Sequence, residues 1–181
     1  MIKLRLLSCL ILICFSFSCC QKQLSNENEL ENTKNVINEF KDLDLYKFKN
    51  WDISQRNDSL FIFDYNKNQK YIGGFLIKNS GKDYLIKNKS NGIDNSFVNF
   101  SDYPEDKLLV FQLTKKDILE VVSLSNKIKA SKIIYINSFD GILIERQQTK
   151  IMYLLSNDLN NKVPSDYKLI SNNWYYLKQT P

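Results

Sequence analysis

Histidine is absent from the chain of 181 residues, and all four cysteines fall within its first twenty positions. Without imidazole there is no Ser-His-Asp or Cys-His nucleophile arrangement, no imidazole acid–base catalysis and none of the common zinc sites. Without a thiol beyond Cys20, thiol redox chemistry is excluded from the rest of the chain. Glycine and proline are scarce, at five and three, and no G-x-G-x-x-G or Walker-type loop occurs. The longest apolar stretch, Leu6 to Phe17, spans twelve residues, short of the roughly 20 a membrane-crossing helix needs. Nor is there a strong charge of one sign. The formal excess is +5, and without Lys3 and Arg5 at the extreme N-terminus it falls to three, with lysines scattered among acidic and aromatic residues. That is too little to predict a nucleic-acid partner.

What is present reads as a globular chain: 43% hydrophobic residues, 25% charged, and an aromatic set of 11 Phe, 10 Tyr and 2 Trp. The length beyond Cys20 suits one ordinary domain with a core of its own.

Lys3 and Arg5 form a positive N-terminal region ahead of the apolar stretch, the arrangement of a secretory leader that is removed on export. Its end, Phe15-Ser16-Phe17-Ser18-Cys19-Cys20, places small Ser18 before Cys19. This junction resembles the lipobox of bacterial lipoproteins. The resemblance implies a signal peptide over 1–18 and a lipid thioether on Cys19, with Cys20 as the alternative. It implies attachment to the membrane through two or more acyl chains, because one chain holds only marginally at about 0.8 kcal/mol per buried CH₂. Neither cysteine is followed by Asp, so the resemblance points to the outer membrane, facing the periplasm or the cell surface. Residues 19–32 then read as the lipidated terminus and a polar tether.

From residue 33 the pattern predicts a single α+β domain running to 181: a mainly antiparallel sheet of about eight or nine strands with two helices. Thr33 would cap a first helix carrying Val36, Ile37, Phe40 and Leu43. Period-two runs predict strands at 46–54, 59–65, 70–78 and 83–88 around short turns, the arrangement of an antiparallel meander. A long polar loop, 88–104, leads to a strand at 107–113. Thr114 and Asp117 then open a helix with Ile118, Val121, Val122, Leu124, Ser125 and Ile128 on one face. Strands are expected at 131–137, 142–147, 150–156, 167–171 and 174–178, and no internal repeat is evident.

Candidate chemistry is thin. Asp102, Glu105 and Asp106 form the densest acidic group, and Glu145 follows Asp140, but acids near turns ordinarily serve solubility and local hydrogen bonds. Asp64, Asn66 and Asn68 alternate like a calcium loop, yet Gln69 stands where that loop needs glycine and Phe75 where it needs glutamate, leaving a hairpin turn. Ser165 and Lys168 have the spacing of a serine–lysine pair but no helix to carry it. We therefore assign no catalytic residue, no metal and no cofactor. Trp174 and Tyr176 should share one side of the last strand, with Tyr175 on the other, and Trp51 stands near the first strand. These three rings, Trp174, Tyr176 and Trp51, are the candidates for surface contact, with core packing as the ordinary alternative. The expected function is that of a non-enzymatic envelope lipoprotein binding another protein, as an accessory subunit or an immunity-type factor. The alternative is a carbohydrate-binding module or a carboxylate-dependent glycan-active enzyme.

Overall fold

The computed structural model describes residues 30–81, 83–89, 96–146, 149–156 and 163–177. Cys19, Cys20 and the leader lie outside them. The chain divides into two compact units after Lys41. In the first, residues 30–40 are helical (α1), with Val36, Ile37 and Phe40 buried as their spacing predicts. Thr33 lies inside this helix and is buried; it does not cap the helix start.

The second unit is built on one antiparallel sheet of ten strands: β1 (Trp51–Asn57), β2 (Leu60–Lys67), β3 (Lys70–Asn79), β4 (Tyr84–Asn88), β5 (Val98–Asn99), β6 (Lys132–Ile136), β7 (Gly141–Arg146), β8 (Thr149–Leu154), β9 (Tyr167–Ser171) and β10 (Trp174–Leu177). Two helices interrupt the strands, α2 (Asp106–Leu109) and α3 (Lys115–Ile128). The α+β class and the antiparallel meander of the first four strands are as the sequence predicts; in the second run β10 lies between β8 and β9.

The order across the sheet is β5-β4-β3-β2-β1-β6-β7-β8-β10-β9. The first strands of the two runs, β1 and β6, pair antiparallel at the centre with Ile53 opposite Ile133, and each run proceeds outward from there. This two-sided layout has no counterpart in sequence similarity between the halves. A sheet demands only alternation, so two meanders can share a plan without sharing residues.

Alternation puts Trp51, Ile53, Phe63, Phe75, Ile77, Ile86, Ile133, Ile142, Ile144 and Ile151 on one face, and all are buried. Helix α3 turns Ile118, Val121, Val122, Ser125 and Ile128 inward, and Asn126 Nδ2 donates to Tyr84 Oη at 3.0 Å, tying α3 to this side. On the opposite face the β6–β10 half holds an apolar cluster, Leu143, Met152, Leu154 and Tyr175 with Phe139, and Ile62 is buried on β2. Across β1–β4 that face mixes polar Asp52, Ser54, Asp64 and Lys87 with Ile62, Leu76 and Leu85.

Several boundaries differ from the alternation in the sequence. A 3-10 turn, Leu45–Phe48, replaces the start of the first predicted strand: Leu45 and Phe48, three apart, are both buried, and Asp44 accepts from the Tyr46 amide at 3.2 Å. The predicted strand at 107–113 is instead α2 and its exit. Here too the buried residues, Leu108 and Phe111, are three apart, while Leu109 and Val110 between them are exposed; the run KLLVFQL fits either period. The long loop contains β5 and a 3-10 turn at Phe100–Asp102, with Phe100 and Tyr103 buried. The Asn68-Gln69 turn holds positive φ at both residues, 51° and 63°, the conformation that suits a two-residue hairpin, so the hairpin reading of Asp64–Asn68 stands.

Thr114 caps α3 as predicted. Its hydroxyl accepts from the Asp117 amide at 3.2 Å, and the Asp117 carboxylate accepts from the Thr114 amide at 2.8 Å. The Thr114 hydroxyl and amide together hold the Asp117 carboxyl below its usual range. A depressed carboxyl binds fewer protons folded than unfolded, so its stabilisation is complete at neutral pH and fades as pH falls below about 4. Asp117→Asn is accordingly expected to lower stability by about 0.5–1 kcal/mol at neutral pH. In urea titrations the gap from the parent protein should close in acid; a gap that stayed constant with pH would contradict this.

Candidate functional site

The exposed apolar residues are unevenly placed. Of the seven large ones that stand out among the described residues, Tyr71, Val98, Leu109 and Val110 gather around one end of β3 and β4. Leu109 and Val110 are each 70% exposed, although they follow directly in the chain. Two hollows open beside them. One, about 500 Å³, is lined by Tyr71, Ile72, Gly73, Gly74, Lys89, Val110 and Phe111. The other, about 700 Å³, is bounded by β4, the 96–99 segment and Pro104. Asn88 and Lys107 line both.

The floor is built from aromatic rings. Phe75 is fully buried, with the Phe111 ring 4.8 Å away and the Tyr103 ring meeting it edge-on at 6.1 Å. Tyr65 continues the series against Phe111 at 6.1 Å, and Trp51 against Tyr65 at 4.8 Å. Gly73 allows the close approach, since a Cβ there would lie 2.8 Å from the Phe111 ring. The Tyr103 hydroxyl donates to Asn88 Oδ1, and burial pushes its pKa up, so it is a neutral donor that fixes Asn88 between the two hollows.

The rim is polar and mostly basic. Lys89 donates to both Asp64 oxygens, at 2.7 and 2.5 Å, and lies 5.9 Å from the Tyr71 ring centre. Burial and the Asp64 charge raise the Tyr71 phenol. Lys87 sits 4.9 Å from the Phe97 ring centre, and Lys107 lies 6.0 Å from that of Tyr103. Beyond the last β3–β4 ladder pair, Phe75 with Asn88, residues 70–73 of β3 have a ladder partner only in β2 among the described residues. Among the described residues the first hollow therefore abuts a stretch of β3 paired on one side only.

The rings singled out in the sequence are elsewhere. Trp51 and Trp174 are 2% and 6% exposed, so surface contact through them is corrected to core packing: Trp51 packs on Phe63 and Tyr65, Trp174 on Tyr153. Tyr176 is half-buried. The acidic candidates also separate. Asp102 lines the larger hollow, Glu145 pairs with Lys150 at 3.2 Å, and Asp140 pairs with Lys49 at 3.0 Å. Lys168 lies on β9 and is exposed, with Ser165 in the turn before it. Among the described residues no group of three or more metal-ligating side chains is gathered. Sequence reading passed over Leu109 and Val110 because a strand at 107–113 would have buried half of that run.

No protein-family model, curated protein or solved structure matches the chain.

Proposed function

We propose that the protein is a lipid-anchored component of the bacterial envelope, held at the outer membrane through Cys19, or Cys20 in its place, and that it binds another protein without catalysing a reaction. The supporting observation is the exposure of Val110 and Tyr71 on the rim of the smaller hollow, lined also by Phe111, with exposed Leu109 next to Val110 in the chain. Adjacent apolar side chains left in solvent beside a preformed hollow suit an interface centre, where buried anchors supply most of the binding energy. The basic rim and the neighbouring stretch of β3, paired on one side only among the described residues, favour an extended, acidic segment of the partner.

The test uses the full chain in its own cells, with a photoreactive residue at position 110 and, as control, at exposed Leu169 on β9. Crosslinking from 110 is expected to give one discrete protein adduct, absent from 169 and lost in the Leu109→Asp, Val110→Asp double variant. Cys19→Ser should release the protein from the membrane fraction and remove the adduct; release by Cys20→Ser alone would assign the lipid to Cys20. Equal patterns from 110 and 169, or no adduct from either, would refute the binding role.

A further inference from the structure

A different cavity lies where β1 begins, β6 ends and the β2–β3 hairpin turns. It measures about 190 Å³ and is lined by Asn50, Asp52, Asn66, Gln69, Tyr135 and Asn137. None of these residues lines either hollow of the candidate site. The chain enters β1 with Asn50 at φ 71°, and the Asn66 amide donates to the Asn50 carbonyl at 2.7 Å, so the first residue of the rim is locked to the hairpin.

The lining is unusual in its chemistry. Four of the six side chains are carboxamides, each offering a donor and an acceptor side by side. One is a carboxylate that the protein satisfies only in part. Asp52 Oδ2 accepts from Asn66 Nδ2 at 2.9 Å. Its Oδ1 is buried and accepts no hydrogen bond, alone among buried side-chain oxygens and nitrogens of the described residues. A buried polar atom left this way costs on the order of 1–3 kcal/mol, and such atoms in native folds call for an explanation. Burial and the cross-strand Asp64 push this carboxyl above its usual range, against the Tyr135 backbone amide, Asn66 and Lys132. The Tyr135 hydroxyl donates to Asp140 Oδ1 at 2.7 Å. Lys49 approaches the same oxygen to 3.0 Å, and the Tyr135 hydroxyl also lies 3.3 Å from Asn137 Oδ1, which fixes the ring at the end of β6.

Charge narrows the ligand. Lys132 already offsets part of the Asp52 charge, and Lys49, paired with Asp140, lies 5.9 Å from the Tyr135 ring centre, so a cation would meet lysines as well as the carboxylate. An anion would meet Asp52. An apolar group would leave the carboxamides of Asn50 and Gln69 facing nothing they can bond. A neutral ligand dense in hydroxyls meets all of these conditions, because each carboxamide can bridge neighbouring hydroxyls while the carboxylate accepts from one of them. The volume corresponds to about six waters at about 30 Å³ each, room for one sugar ring and its hydroxyls.

We propose that this cavity is a binding site for a single neutral sugar ring, with a hydroxyl donated to the Asp52 carboxylate and the carboxamides of Asn50, Asn66, Gln69 and Asn137 paired to its other hydroxyls. Oδ1 is shielded as the side chain stands, so the carboxylate turns about its terminal torsion to receive the hydroxyl. That torsion is broad for aspartate.

The site reports on itself, since the side-chain amide groups of Asn and Gln give their own nitrogen–proton signals. The full chain in detergent is titrated with millimolar glucose, galactose, mannose and N-acetylglucosamine in turn, with ethylammonium as the cationic probe. At least one sugar is expected to shift those four side-chain signals saturably. Asp52→Asn, a near-isosteric change that removes the carboxylate acceptor, should weaken that sugar's binding at least about tenfold, or 1.4 kcal/mol. Asn137→Ala should weaken it in the same direction, and the Leu109→Asp, Val110→Asp variant should bind as the parent does. The proposal is overturned if no sugar moves the four signals, if ethylammonium saturates them and the sugars do not, or if Asp52→Asn binds sugar unchanged.

Discussion

Phe75→Ala is expected to destabilise the sheet unit by about 3–5 kcal/mol and to abolish crosslinking from position 110. Phe75 is fully buried on β3, and its ring supports both Phe111 at 4.8 Å and Tyr103 at 6.1 Å. Truncation removes the transfer energy of the ring and leaves a void beneath the hollows. The neighbours are poorly placed to fill it. The Tyr103 hydroxyl is engaged with Asn88, and Phe111 is held by the turn leaving α2, where its amide donates to the Leu108 carbonyl at 3.0 Å. A loss of this size is a large share of the roughly 5–15 kcal/mol that holds an ordinary domain together. Phe75→Leu keeps an apolar filling and should lose under about 2 kcal/mol, while Leu169→Ala, exposed on β9, should stay within about 0.5 kcal/mol of the parent. Urea midpoints rank the three. Equal midpoints for Phe75→Ala and Leu169→Ala would contradict the packing argument.

Alternation was most legible at Trp51 and Ile53, whose neighbours in the chain are polar, and it extended to strands with one apolar neighbour. Ile133, Ile142, Ile144 and Ile151 all fall on the predicted strands and on one buried face. Helix α3 was legible because Thr114 and Asp117 mark its start and its apolar residues keep a single stripe. The run Lys107 to Leu113 was not, because four apolar residues in succession carry no period. Its helical turn is decided by tertiary contacts of Leu108 and Phe111 that no local pattern reveals. The two sites were illegible for related reasons. Leu109 and Val110 looked like strand interior, and the sugar pocket assembles Asn50, Asp52, Asn66, Gln69, Tyr135 and Asn137 from three stretches that only sheet pairing brings together. Each of those residues, taken singly, reads as turn or strand-edge chemistry. Asp52 becomes distinctive only once β6 covers one side of β1 and β2 the other.

The second large effect comes from adding one methyl group. Gly74→Ala is expected to cost about 2–3 kcal/mol, the upper part of the range for overpacking a filled site. Gly74 faces Asp64 across the β2–β3 ladder. A Cβ there would lie 2.5 Å from Asp64 Oδ1, 2.6 Å from the Phe63 carbonyl oxygen and 3.3 Å from the Tyr71 hydroxyl. The carboxylate is held by Lys89 through both oxygens and would have to break that pair to withdraw. The carbonyl belongs to the neighbouring strand and can withdraw only if β2 and β3 separate. Replacing Asp64 in the same chain distinguishes the two obstacles: Asp64→Ala combined with Gly74→Ala removes the carboxylate clash but leaves the carbonyl one, so most of the cost should remain. Gly81→Ala is the contrast, since a Cβ there meets nothing within 4 Å and only its φ of 96° opposes a side chain, a penalty of about 1 kcal/mol. If Gly74→Ala proved no more costly than Gly81→Ala, the close approach of β3 to β2 beneath the smaller hollow would be wrong, and the placement of Tyr71 and Lys89 on its rim would fall with it.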